Sequence, residues 1–309
     1  MLKQILDMYE ILDRADVSGQ TVKAYLEDNG AKNVELKCLV GETGTSDFIR
    51  VIIPGREGKS VGGNAPTLGI TGRLGGLGAR PELIGFVSDG DGALAALATA
   101  LKLLNMQAHG DVLRGDVVIS THICPNAPTI PHDPVPMMSC HVEMETINKL
   151  EVECDVDAVL SCDTTKGNKI INNNGFAISC TVKDGYILRV SDDLLEIMMR
   201  VTGKLPHVFA ISQQDITPYG NGLYHINSVL QPSVATSAPV VGVAITTEVA
   251  VAGCATGATQ LTDVESTARF LLEVAKDFTG GKCKFYDAEE YKRILSQYGS
   301  MKHFQLKDN

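Results

Sequence analysis

The sequence predicts an α/β protein, a three-layer α/β/α arrangement around a mixed, mostly parallel central sheet. Three observations carry this. Four short runs rich in Val, Ile and Leu, "TLGIT", "ELIGFVS", "GDVVIST" and "VDAVLSC", are each bounded by turn residues, the pattern of strands buried on both faces. Between the second and third lies "GALAALATALKLLNM", apolar nearly all round, as a helix lying on a sheet should be. Strand, helix and strand in that order make a βαβ unit.

The remaining elements follow in order. Leu2, Ile5, Leu6, Tyr9 and Leu12 form one helical stripe, and Ser18 caps a second helix through Val22, Tyr25 and Leu26, so residues 1–30 read as two helices. "VELKCLV" and "DFIRVIIPG" read as strands separated by the turn cluster "GETGTS". After the four apolar runs, "DGYILRVSDDLLEIMMRVTGKLPHVFAIS" predicts a strand, a helix from an acidic cap near Asp192 to Gly203, and another strand. "PVVGVAITTEVAV" is a β-branched strand, Thr262-x-x-Glu265 predicts a capping box opening an amphipathic helix, and Asp287-x-x-Glu290 repeats that device before a last helix. No repeat or linker divides the chain, which is expected to form a single domain over 1–309, with its C-terminal helix and tail at 285–309.

Bulk composition narrows the function classes. A net charge of −10 opposes binding to a nucleic-acid backbone or an anionic membrane, since both need clustered Lys and Arg. The charged, helically patterned N-terminus lacks the apolar core of a signal peptide, and the expected location is cytoplasmic. Eight cysteines without a CxxC pair argue for buried thiols or site residues rather than a zinc ribbon. Small-molecule or peptide ligands remain, and a homo-oligomer is expected.

In a parallel sheet, ligands bind beyond the carboxyl ends of the strands, so the residues that follow each apolar run are the candidates for chemistry. Three such ends carry metal-competent groups: Asp89 and Asp91, His122 and Cys124, and Cys162 and Asp163. Carboxylate, imidazole and thiolate together suit zinc or a similar divalent metal, with Cys254 of "GCATGAT" as a further ligand. Each has a plainer reading: helix caps for the first two Asp, an Asx turn for Asp163, a buried thiol for Cys124, a strand-end residue for His122. Cys124 as a nucleophile with His122 as its base is the other chemical reading. Residues i and i+2 of a strand share a face but stand roughly 6 to 7 Å apart at their roots, so a remote base such as His225 suits better. The glycine-rich "GRLGGLGARP" lacks a P-loop ending and instead offers Arg73 and Arg80 for a ligand carboxylate or phosphate, while "TPYGNGLYHINS" offers Tyr219, Asn221 and His225.

From about Leu83 to Phe278 the order of elements resembles the di-zinc aminopeptidases of the glutamyl and tetrahedral group. The resemblance rests on "SDGDGALAALATALKLL", "AVLSCDTTKGN", "TPYGNGLYH", "PVVGVAITTE" and "TDVESTARFLLE", in that order. It implies a zinc-aminopeptidase-like fold, with Asp89 or Asp91 and Asp163 in two ligand positions. It also exposes departures. Arg73 or a glycine stands where a first His ligand belongs, Cys124 and Pro125 replace the paired glutamates, and a last His ligand would fall near Gly253 and Cys254. As a whole the chain resembles an uncharacterised bacterial and archaeal family of about this length, whose genes tend to lie near peptide-uptake and D-aminopeptidase genes. Together these features point to an enzyme with a rebuilt metal site acting on a peptide-like or amino-acid-derived amide. The alternatives are a metal-free binding protein on the same scaffold, or a Cys-dependent hydrolase or isomerase.

Overall fold

The computed structural model describes residues 1–73, 85–131, 133, 135–211 and 226–306. The apolar stripe of the first segment forms α1 (Leu2–Leu12), which buries Ile5, Met8 and Leu12. Ser18 accepts a hydrogen bond from Thr21 N and opens α2 (Gly19–Asp28). A hairpin follows, β1 (Asn33–Val40) and β2 (Thr45–Ile53), and then β3 (Leu68–Gly72). The alanine- and leucine-rich segment is α3 (Asp91–Ala108), and it leads to β4 (Val117–Ile123). Two short strands, β5 (Thr129–Ile130) and β6 (Met137–Met138), pair only with each other and precede α4 (Met144–Val152).

Then come β7 (Ala158–Thr165), β8 (Gly175–Ile178), β9 (Val182–Lys183) and β10 (Tyr186–Ile187). The helix α5 (Asp192–Thr202) is capped by Ser191 and closed by left-handed Gly203. A 3₁₀ helix (Ser228–Val234), β11 (Val240–Thr246), α6 (Leu261–Thr279) and α7 (Ala288–Tyr298) complete the order, with Asp287 capping α7 through two backbone N–H groups.

The main sheet runs β1-β2-β4-β3-β7-β11-β9-β10, with β8 also on β11. Its centre, β4-β3-β7-β11, is parallel. Antiparallel pairs lie on both flanks. One face carries Ile49, Val51, Leu68, Ile70, Ile119, Leu160 and Val243, packed under α1, α3 and α6 in one large core. The other face is covered by α4 and the 3₁₀ helix, and only its β7–β11 half is apolar, around Val159, Val240 and Ala244. On the β2–β4–β3 half, the side chains on that second face include Arg50, Ser120, His122 and Thr71, all buried.

Three expectations change. Of "ELIGFVS", the described part, Gly85–Ser88, makes only an isolated bridge from Val87 to Thr256, because the chain turns at once into a 3₁₀ turn at Ser88–Gly90 that feeds α3. "PHVFAIS" contributes one bridge, Val208 to Ile178, rather than a strand. The capping box at Thr262 is not formed: Gln260 is the N-cap, and Glu265 reaches forward to Arg269.

The tightest constraint lies where α3 meets the strand ends. A Cβ on Gly92 would lie 2.2 Å from Arg73 O and 2.6 Å from Cys162 O, and one on Gly72 would lie 2.8 Å from Ala93 Cα. Both neighbours of Gly92 are backbone, so neither can swing aside. Gly92→Ala is therefore expected to lower stability by about 1 to 3 kcal/mol, the usual cost of overpacking, read from the denaturant midpoint of the purified variant.

Candidate functional site

Because Gly92 lets the first turn of α3 abut β3 and β7, Asp91 is carried into the interior at their carboxyl ends, with no exposed surface. It is no cap. Asp91 Oδ2 accepts from Lys166 Nζ at 2.7 Å, and Oδ1 accepts from Thr259 Oγ1 at 2.8 Å. Lys166 follows the end of β7 and is itself buried, its side chain 1% exposed. Burial pushes the Asp91 carboxyl up to about 6, against the opposing pull of Lys166 and Thr259. Asp263, in the first turn of α6, is close enough to act on Asp91 electrostatically and is acted on in turn by Lys166.

Arg73 anchors a second buried polar centre. Its Nε donates to Glu151 Oε1 (3.2 Å), Nη1 to Ser228 O (2.6 Å), and Nη2 to Asn148 Oδ1 (2.9 Å) and Gln231 Oε1 (3.4 Å). This ties the end of β3 to α4 and the 3₁₀ helix, and the guanidinium is consumed by the protein. His122, two residues before Cys124, packs its ring on Phe48 at 5.2 Å between centroids. Its Nε2 lies 3.6 Å from Glu151 Oε1. Both ring nitrogens and Glu151 Oε2 are buried without a hydrogen-bond partner among the described residues.

The other candidates are placed as follows. Asp163 lies in β7, buried, with Oδ1 accepting from Thr164 N at 2.7 Å, and Thr164 Oγ1 donates to Ser88 O. Asp89 Oδ2 accepts from Met138 N at 3.4 Å, and its own N–H donates to Gly253 O. A Cβ at residue 253 would strike the Asp89 carboxylate, so the glycine there is what admits Asp89. Cys124 and Cys254 share a small apolar cluster with Val87, Ala127 and Met138. The Cys124 Sγ faces Thr45 O at 3.6 Å, and burial pushes its thiol up to about 12, the opposite of an activated nucleophile. Arg80, Tyr219, Asn221 and His225 lie outside the described residues.

Do these residues fit a zinc ion? No group of three His, Cys, Asp or Glu converges on a point among the described residues. Asp91, the best-placed carboxylate, already holds an ammonium group. Among the described residues, only His122 and Glu151 offer unpartnered ligand atoms side by side, and there the Arg73 guanidinium lies against the same carboxylate, so a divalent cation would face a fixed positive charge. The expected ligand set is thus divided: Asp91 is held by Lys166, His122 lies by Glu151 and Arg73, Asp89 accepts from Met138 N, Asp163 accepts from Thr164 N, and Cys124 and Cys254 share an apolar cluster.

The model of a family described as protein of unknown function (DUF1177) matches residues 37–308. The chain belongs to that family. No curated protein shows significant sequence similarity to it. Among solved structures, this DUF1177 protein is similar to the LapA aminopeptidase of Legionella pneumophila, with a TM-score of 0.52 and 10% identity over 90% of this chain and 71% of that one. It is also similar to the leucine aminopeptidase LAP1 of Caenorhabditis elegans, with a TM-score of 0.51 and 11% identity over 92% of this chain. The chain spans 65% of the length of the latter. Identities this low establish a shared α/β fold and nothing about chemistry. No helix among the described residues is long and apolar enough to cross a membrane.

Lys166, Thr259, Glu151 and Asn148 are functional candidates that the sequence reading passes over. Lys166 follows the "CDTT" strand end directly and was the one detectable in principle, as a cation at a strand terminus. Glu151 and Asn148 sit on α4, a short helix whose inner face shows only once α4 is laid on the sheet.

Lys166→Met is expected to cost about 3 to 5 kcal/mol, because it strands a buried carboxylate, while the Asp91→Asn/Lys166→Met pair recovers much of that loss. The measurement is urea unfolding of the single and double variants. Asp91 also sets a pH dependence whose sign follows from its raised pKa. The native carboxyl keeps its proton up to about 6 and the unfolded one only to about 3.8, so this group's contribution falls as pH rises from about 4 to about 6. Asp91→Asn should flatten that stretch of the stability–pH curve.

Proposed function

We propose that this protein is a metal-independent binding protein on an aminopeptidase-like scaffold. Its ligand is peptide-like or amino-acid-derived and is held beyond the carboxyl ends of the parallel strands. One observation carries this reading: the Asp91 carboxylate, which with Asp89 is one of the two that the aminopeptidase resemblance offers to a metal at this position, is bonded on one oxygen by Lys166 Nζ at 2.7 Å and on the other by Thr259. An ammonium group neutralises the carboxylate as a cation would, but it has no open coordination position and cannot lower the pKa of a bound water. Arg73 supports the same reading, since the resemblance puts Arg73 or a glycine where the first His ligand belongs, and Arg73 is bonded to Glu151, Asn148 and Ser228 O. A hydrolase with a rebuilt zinc site would have to exchange Lys166 for the metal at Asp91, and a Cys-dependent enzyme would need Cys124 as thiolate at a site that holds it protonated.

The test is elemental analysis of protein purified without a metal-affinity tag, combined with thermal-shift screening of dipeptides, D-amino-acid peptides and N-acyl amino acids in EDTA. The expected result is zinc far below one per chain and ligand-induced stabilisation that survives EDTA. About one tightly held zinc per chain, with EDTA-sensitive amide hydrolysis, would overturn the reading in favour of the hydrolase.

A further inference from the structure

A cavity of about 560 Å³ opens between α5, α6 and the start of β8, on the helix-covered side of the sheet. Its size lies within the range that small ligands use. Phe176, Met198, Val201 and Leu205 supply an apolar wall, and Leu205 is left 79% exposed there. The charged groups at its edge are not equivalent. Arg269 is committed, ion-paired to Glu265 and donating to Val201 O. Asp263 and Lys204 are not: neither side chain has a hydrogen bond or an ion pair within 4 Å among the described residues. His207 lines the same cavity.

Asp263 is half-buried in the first turn of α6 and lies within electrostatic reach of Lys166 and, less strongly, of Lys204, with neither in direct contact. A carboxylate withdrawn from water without a partner is costly, and a ligand that supplies the opposite charge recovers that cost. A simple anion would be drawn to Lys204 but repelled by Asp263. A neutral apolar molecule would cover both ions and satisfy neither. A molecule with an ammonium group, a carboxylate and an apolar body between them satisfies every wall of the cavity.

We propose that this cavity is a binding site for a free α-amino acid with a large apolar side chain: ammonium on Asp263, carboxylate on Lys204 and His207, side chain against Phe176, Met198 and Leu205. The cavity lining includes neither Asp91 nor Lys166, although Asp263 lies within electrostatic reach of both. Isothermal titration of the intact protein with L-phenylalanine, N-acetyl-L-phenylalanine and L-phenylalaninamide tests it. L-Phenylalanine should bind saturably and each blocked derivative at least ten-fold more weakly, since each lacks one charge. Asp263→Asn and the surface variant Lys204→Met should each weaken L-phenylalanine at least ten-fold, with unfolding temperatures close to that of the parent. The proposal is overturned if L-phenylalanine shows no saturable binding at millimolar concentration, if a blocked derivative binds as well as the free amino acid, or if both variants bind it unchanged. None of these results alters zinc content, so failure here is distinguishable from failure of the metal-independent reading.

Discussion

At Gly92 the first turn of α3 has no room for a side chain, because the carbonyl oxygens of Arg73 and Cys162 close on it from two neighbouring strands. Much else follows from that contact. It drives the start of a long apolar helix into the carboxyl end of the sheet and carries Asp91 out of water. A buried carboxylate needs a partner, and Lys166, released from β7 at the same level, is the one that meets it. The helix packing and the electrostatics of the centre are therefore one constraint.

The two faces of the sheet answer different demands. Under α1, α3 and α6 the side chains are predominantly apolar, and their burial dominates the packing, with a few bonds such as Thr99 Oγ1 to Ala268 O between α3 and α6. Under α4 they are polar, and α4 is held by specific bonds: Arg73 to Glu151 and Asn148, Ser120 Oγ to Glu151 O, and Arg50 to Leu150 O. Such a layer specifies geometry more than it adds stability, since each buried charge must first be desolvated. Arg73 joins both halves of the molecule: its backbone N–H continues the ladder to Cys162 O while its side chain fastens α4 and the 3₁₀ helix.

On the metal-independent reading proposed above, these two ion networks stand where an aminopeptidase-like fold would otherwise use a metal. In both centres a cationic side chain of the protein stands against the carboxylate. The fold needs charge neutralisation at these strand ends, and either a metal or a basic residue satisfies that need. Only the metal would add a Lewis acid.

Much of the architecture was legible in the chain. The 3.6-residue stripe of α1, the Ser18 and Asp287 caps, the Gly203 stop and the β-branched run of β11 are local signals, set by propensity and capping chemistry between residues close in sequence. The expected placement of Asp91 and Asp163 at the carboxyl ends of the parallel strands is also seen. The partners were not legible. Lys166 meets Asp91 across 75 positions and Glu151 meets Arg73 across 78, and no periodicity encodes such a pairing. Whether a strand-end carboxylate receives a metal, a lysine or a hydrogen bond depends on which distant side chain the packing brings within about 3 Å. The sequence by itself determined most of the elements and the strand ends on which Asp91 and Asp163 lie; the tertiary structure alone decided that Asp91 is answered by an ammonium group.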